Sequence, residues 1–469
     1  MAQRSRIRTV SRLAWLALGL WVLAGVGGAM VFRGQLGPAW AAPRVDVPVV
    51  VIESDDWGLD FEPPHYVPPG AAVDARQQAG VRRLADMLAT RRDAAGRPAI
   101  VSAFIVVHQA DSASIAADPA FAYHPLPIDR SMPKTVAELK QAAGQGVLEL
   151  VYHGRDHRDV GLWCNNIRAM VETAAPGRLW SASRAATEPA ARFDPESVRI
   201  FHPRDERERD RIVAEYFDSR LGYLDELDCA QLEAKVKEGL AEFERIFARR
   251  PVSTVPPRYL WGPAAEKAFA AHGIRYLHGA NKQGGRFRGE GEIWARPFGV
   301  GLGEGLIGIP RNTDVEVRPD NSLPSLQTVM EEASRAAATG QPIVICTHAC
   351  NYATDGPELG DKMCDFLGRV LDELKQRYPD LRYLSAEEAG RLAERGEVVV
   401  NVGGTEHPVR LAGPLKGAWL AGRDLYLRRA KIRLYALGLA LLAVLALAMQ
   451  IVSWIGRRKI ADCGLRNAD

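Results

Sequence analysis

From residue 48 to residue 395, short apolar runs alternate with longer stretches of helical period, and this alternation restricts the fold more than any other feature. Pro48–Ile52, Ala99–His108, Val147–Tyr152, Ser253–Val255, Ile274–Leu277, Gly305–Ile309, Pro342–Thr347 and Leu381–Leu384 read as strands. Residues 71–95, 135–143, 205–250, 263–272, 323–339 and 357–377 read as helices, with Pro251 ending the charge-rich stretch before it. Strands that alternate with helices predict an α/β fold with a mostly parallel sheet. About seven or eight such units favour a closed barrel over an open sheet. Residues 396–422 read as a small β appendage, its strands within 398–411. A composition of 47 % apolar and 25 % charged residues supports a packed core and excludes wholesale disorder, collagen and a polytopic transporter.

Two uncharged apolar runs bracket this region. Residues 13–32 carry no charge and are long enough to span a bilayer, which takes about 20 apolar residues. Arg4, Arg6, Arg8 and Arg12 precede the run and Arg33 follows it, so the positive-inside rule puts the N-terminus in the cytoplasm. Ala39-Trp40-Ala41 also fits a signal-peptide cleavage site, so a cleaved signal is the other reading of residues 1–33; the length of the run favours an anchor. Residues 434–455 form the second run, with basic residues on both sides. Two spans would tether the chain to the cytoplasmic (inner) membrane, with the main domain on the periplasmic or extracellular side. The basic ends also hide an acidic middle. Residues 34–422 hold 46 Lys+Arg against 54 Asp+Glu, a net charge of −8, which argues against a nucleic-acid partner. Five of the six cysteines lie in the exported part, which permits disulfides, but no Cys-x-x-Cys pair suggests a cysteine zinc site.

Functional groups of α/β proteins gather where strands end. Three polar clusters stand at such places: Glu53-Ser54-Asp55-Asp56-Trp57-Gly58, His153-Gly154-Arg155-Asp156-His157, and Thr347-His348. A buried Asp-Asp pair needs a cation or a shared proton. One carboxylate with two neutral imidazoles is a ligand set for Zn²⁺ or a similar divalent ion; Co, Mn, Fe and Ni accept it too. Histidines at i and i+4 can reach one ion from a single helical turn. The second carboxylate could then deprotonate water, and a histidine across the site could protonate the leaving group.

This combination resembles the polysaccharide deacetylase family, the NodB-homology carbohydrate esterases. Their Thr-Phe-Asp-Asp-Gly motif is matched by Glu53 to Gly58, their His-Ser/Thr-x-x-His motif by His153 to His157, and their Leu-x-His motif by Cys346-Thr347-His348. Their Arg-x-Pro-Tyr motif is matched loosely by Pro256-Pro257-Arg258-Tyr259. The resemblance covers residues 46–395 and implies a distorted (β/α) barrel of about seven strands. It implies Asp55 as general base, His348 as general acid, and Asp56, His153 and His157 as metal ligands. It also implies that the backbone N–H of Tyr259 helps hold the oxyanion. Trp57, Arg258 and Arg311 are the candidates for substrate contact.

The departures from the family are as informative. Gly154 stands where the family has a Ser or Thr that supports the site, and residues 109–133 and 158–250 read as insertions. Trp163, Trp180, Trp261 and Trp294 offer either sugar stacking or core packing. His65, His108 and His124 lie near the candidate loops, Arg296 and Trp294 near the region of the family's later motifs, and Asp205 to Arg211 reads as a solvated helix face. The implied activity is removal of N- or O-linked acetyl groups from a cell-surface or exported polysaccharide. A glycan-binding protein that keeps the barrel, and a metal-independent glycoside hydrolase, are the competing expectations.

Overall fold

The computed structural model describes residues 42–59, 71–173, 215–216, 227–283, 297–318, 321–354 and 357–428, with Gly19, Trp21 and Ile451. The apolar runs at 13–32 and 434–455 fall outside these residues apart from the last three. So do His65, Trp180, Asp205 to Arg211, Trp294 and Arg296. Among the described residues, no helix is long and apolar enough to cross a membrane. The five described cysteines form no disulfide.

The strands in chain order are β1 (Val49–Trp57), β2 (Val101–Val106), β3 (His108–Ala110), β4 (Pro125–Pro127), β5 (Leu148–Gly154), β6 (Ser253–Thr254) and β7 (Tyr276–His278). They continue as β8 (Val300–Gly301), β9 (Ile307–Ile309), β10 (Thr313–Asp314), β11 (Ile343–His348), β12 (Arg382–Leu384), β13 (Glu397–Val402) and β14 (Thr405–Arg410). The main sheet runs β10-β11-β1-β2-β5-β6-β7-β9-β8, and β12 also pairs with β1. Every neighbouring pair is parallel except β8 with β9. The α/β class and the parallel sheet match the sequence. The expected closure does not: among the described residues β8 and β10 do not pair. Both edge strands are two residues long, and β8 turns back on β9, so neither offers a ladder for closure.

β1 sits near the middle of this sheet and explains where the polar groups gather. Its valines and isoleucine suit a strand buried on both faces. Val50 and Ile52 join the cluster that contains Val81, Leu84 and Leu88 of the helix Ala71–Ala89 and Leu367 and Leu371 of the helix Pro357–Arg377. Val49 and Val51 join another, with Leu384, with Ala389 and Leu392 of the helix Ala386–Arg395, and with Val398, Val400 and Val409. Each such side chain contributes about 1.5–3 kcal/mol on burial. The same face of β1 continues, two residues at a time, to Glu53 and Asp55. One end of the interior is therefore apolar and the other ionisable.

The hairpin β13–β14 lies within the unit spanning Pro43–Gly413; the helix Pro414–Arg428 belongs to a second unit. The segments expected as insertions pack on each other. Ala110 and Ile115 share a cluster with Ile167 and Trp163 of the helix Val160–Thr173. Trp163 is half-buried there under the Arg158 guanidinium, 4.5 Å from its ring centre, and Trp261 is fully buried, so both tryptophans pack.

Candidate active site

Regular alternation would send Asp55 and Asp56 to opposite faces of β1. The register of β1 on β2 shifts between Ser54 and Trp57, and Asp56 adopts φ 68°. This bulge re-aims the second carboxylate. A left-handed non-glycine residue is held at a cost of about 1–3 kcal/mol, and such residues concentrate at functional sites. Asp56, His157, Arg258 and Tyr259 all have positive φ.

Asp56 Oδ1 lies 3.0 Å from His153 Nε2 and 3.2 Å from His157 Nε2. One donor atom from each of the three residues lies within 4.8 Å of the others. The Nδ1–H of His153 donates to the Val255 carbonyl at 2.8 Å, just past β6. In the neutral ring that bond leaves the Nε2 lone pair facing the shared point, available to a cation. His157 does not reach this point from a helical turn, as the i, i+4 spacing suggested. β5 ends at Gly154, and the following loop brings the two rings to 4.9 Å through the left-handed His157. Two imidazole lone pairs facing one carboxylate oxygen repel it unless a proton or a cation lies between. The donor set therefore fits a divalent first-row ion. Burial raises the Asp56 pKa, but the His157 charge and bonds from both imidazoles hold it well below the ordinary carboxylate value.

Asp55 occupies the neighbouring position, 2 % exposed. Arg311, itself 1 % exposed, grips it with NH1 at 2.5 Å from Oδ2 and NH2 at 2.7 Å from Oδ1. Arg311 Nε donates to Glu53 Oε2 at 2.6 Å, and Glu53 Oε1 accepts from His278 Nδ1 at 2.6 Å. Burial pushes the Asp55 pKa up, yet Arg311, then His153, bring it below its ordinary value. This acid is thereby kept ionised. Arg311, expected to contact substrate, is instead buried and orients Asp55.

His348 ends β11 opposite this pair, its Nε2 3.9 Å from Asp55 Oδ2. Its Nδ1–H donates to Glu316 Oε1 at 2.7 Å, and Asn351 holds the other Glu316 oxygen at 2.7 Å. Burial lowers the His348 pKa, but the charge and hydrogen bond of Glu316, joined by the Asp56 charge, raise the imidazole well above its ordinary value. The shift favours the form of His348 that carries a proton on Nε2. Glu316, Cys346 and His348 also lie within donor reach of one another, but the Glu316–His348 hydrogen bond already accounts for that geometry.

Other expected residues fall differently. The Tyr259 N–H donates to Pro256 O at 2.9 Å within a tight turn, so it is committed rather than open to an oxyanion. The Tyr259 hydroxyl instead accepts from Arg311 NH1 at 3.0 Å. Trp57 is fully buried and donates to Ser54 Oγ at 3.0 Å. Once the bulge resets the alternation, Trp57 enters the core. Arg258 is exposed on the turn Pro257–Tyr259. His108 sits 3.9 Å from Asp156 and 3.8 Å from Glu242, and His124 pairs with Asp118 at 2.9 Å; neither joins the donor set.

Sequence reasoning quoted Glu53 only as part of a cluster and passed over Glu215, His278 and Glu316. Each lies far along the chain from the residue it supports, and a single acid or histidine carries no local signature.

No family model matches the chain, and no curated protein matches it. Among solved structures, a Mycobacterium smegmatis protein assigned as a polysaccharide deacetylase is 12 % identical, with 76 % of this chain and 93 % of that one covered at a TM-score of 0.39. A family 4 acetyl xylan esterase from Clostridium thermocellum, solved with a cobalt ion, is 10 % identical over 73 % of this chain and 91 % of its own, at a TM-score of 0.30. A 4-alpha-glucanotransferase from Thermococcus litoralis is 10 % identical over 73 % of this chain and 40 % of its own, at a TM-score of 0.37. Proteins of different activity thus match at similar values, and the functional reading rests on the residues.

Proposed function

We propose that this chain is a metal-dependent hydrolase that removes acetyl groups, N- or O-linked, from an exported or cell-surface polysaccharide. The observation that carries the reading is the convergence of Asp56, His153 and His157 on one point, flanked by Asp55 in the grip of Arg311 and by His348 hydrogen-bonded to Glu316. Asp56, His153 and His157 would hold a divalent ion, zinc foremost among the first-row metals. When bound, such an ion polarises the acyl carbonyl and acidifies water.

The chain's own residues supply the proton movements. Asp55, fixed through both oxygens by Arg311, accepts a proton from the attacking water on a remaining lone pair. Its lowered pKa keeps it in the base form at neutral pH. His348 donates its Nε2 proton to the departing amine nitrogen or alkoxide oxygen, while Glu316 stabilises the imidazolium. Exposed Arg258, on the turn that carries Tyr259, is the cation this reading assigns to glycan contact. The apolar runs at 13–32 and 434–455 would hold the catalytic unit at the outer face of the cytoplasmic membrane, where an exported glycan emerges. Glycoside hydrolysis fits less well. It needs one protonated carboxyl, whereas Arg311 holds Asp55 and two imidazoles hold Asp56 below their ordinary pKa values.

The test is metal content and acetate release from acetylated glycans, measured on the detergent-solubilised full chain and on its Asp56→Ala/His153→Ala variant. About one ion per chain is expected in the wild type and none in the variant, with release abolished by chelation. A wild type that takes up no ion on reconstitution, or release that survives chelation, would overturn the proposal.

A further inference from the structure

We infer that Glu215 is a positioning residue for the metal ligands, its buried carboxylate clamping the loop that carries His157. The inference rests on the metal reading above and deepens it.

Glu215 is 1 % exposed. Its Oε1 accepts the Arg155 N–H at 2.8 Å and its Oε2 accepts the His157 N–H at 2.8 Å. Both donors lie on the loop between the two histidine ligands. His157 has φ 52°, a conformation that persists only where its surroundings impose it, and a charge-assisted bond to its own N–H is such a constraint. Gly154 supplies independent support. A β-carbon there would collide with Glu215 Oε2 and press on Pro257 at 3.1 Å. The carboxylate thus occupies the space that a side chain at 154 would need, beside the position where the resemblance leads one to expect a supporting hydroxyl. A residue 58 positions along the chain from His157 holds the loop from outside. Part of the long excursion after residue 158 thereby completes the ligand geometry. Partners that orient ligating histidines typically change metal affinity about 10–100-fold when removed.

The test titrates the full chain with Co²⁺, reading the dissociation constant by chelator competition and the geometry from the d–d absorption bands. Glu215→Gln keeps the shape but sets an amide N–H₂ against a backbone N–H. It is expected to weaken Co²⁺ binding about 10–100-fold and to shift the bands. Glu215→Asp, one methylene short, is expected to give intermediate affinity and, if Glu215→Gln does not fold, serves in its place. Tyr216→Phe alters the neighbouring buried side chain without touching the carboxylate and is expected to bind as the wild type does. Wild-type affinity and spectrum in the folded Gln or Asp variant, or equal weakening in Tyr216→Phe, would overturn the inference while leaving the metal reading intact. A wild type that binds no Co²⁺ would overturn both.

Discussion

Replacing Arg311 with leucine should destabilise the protein more as pH rises. One fully buried guanidinium faces two buried carboxylates, Glu53 and Asp55, through three bonds of 2.5–2.7 Å. Each charge-assisted bond is worth about 1.5–3 kcal/mol, part of which is offset because the guanidinium no longer has to be desolvated. Removing one partner of a buried pair costs about 3–5 kcal/mol, because the charge left behind is uncompensated. In the wild type both acids have lowered pKa values, so their contribution is present above the ordinary carboxylate range and is lost as pH falls through the depressed values. In Arg311→Leu, burial is less opposed and pushes both acids upward, so they can take up protons at mildly acidic pH. The stability gap between wild type and variant should therefore approach about 3–5 kcal/mol near pH 8 and shrink toward pH 5. Urea unfolding of both proteins across that range reads the gap. A gap independent of pH, or one below about 1 kcal/mol at pH 8, the scale of an exposed pair, would refute the argument.

Glu316→Gln removes the partner that raises the His348 pKa. The alkaline limb of kcat/KM for acetate release should move to lower pH, and an unmoved limb would exclude His348 as the titrating acid. Trp57→Ala should cost about 3–5 kcal/mol in chemical denaturation because the indole is fully buried; a raised KM at unchanged stability would return Trp57 to the substrate surface.

Much of the fold and part of the site can be read from the sequence. The runs at Val49, Val101, Leu148 and Ile343 are apolar because central parallel strands are buried on both faces, so each announces itself without knowledge of its neighbours. Asp55, Asp56, His153, His157 and His348 are legible because strand ends are where an α/β sheet presents its polar groups, and their types already define a ligand set with an acid and a base. Three-dimensional packing alone decided the rest. Whether the sheet closes depends on edge strands of two residues, too short to leave a pattern. That two adjacent aspartates share a site depends on one left-handed residue, and that Trp57 is core rather than surface follows from the same bulge. The partners that set protonation, Arg311 on Asp55 and Glu316 on His348, and the one that holds backbone, Glu215 on the His157 loop, meet their targets across 256, 32 and 58 residues. Local patterning fixes which groups a strand carries to its end. Only packing between distant segments determines which of them are charged, held and aimed.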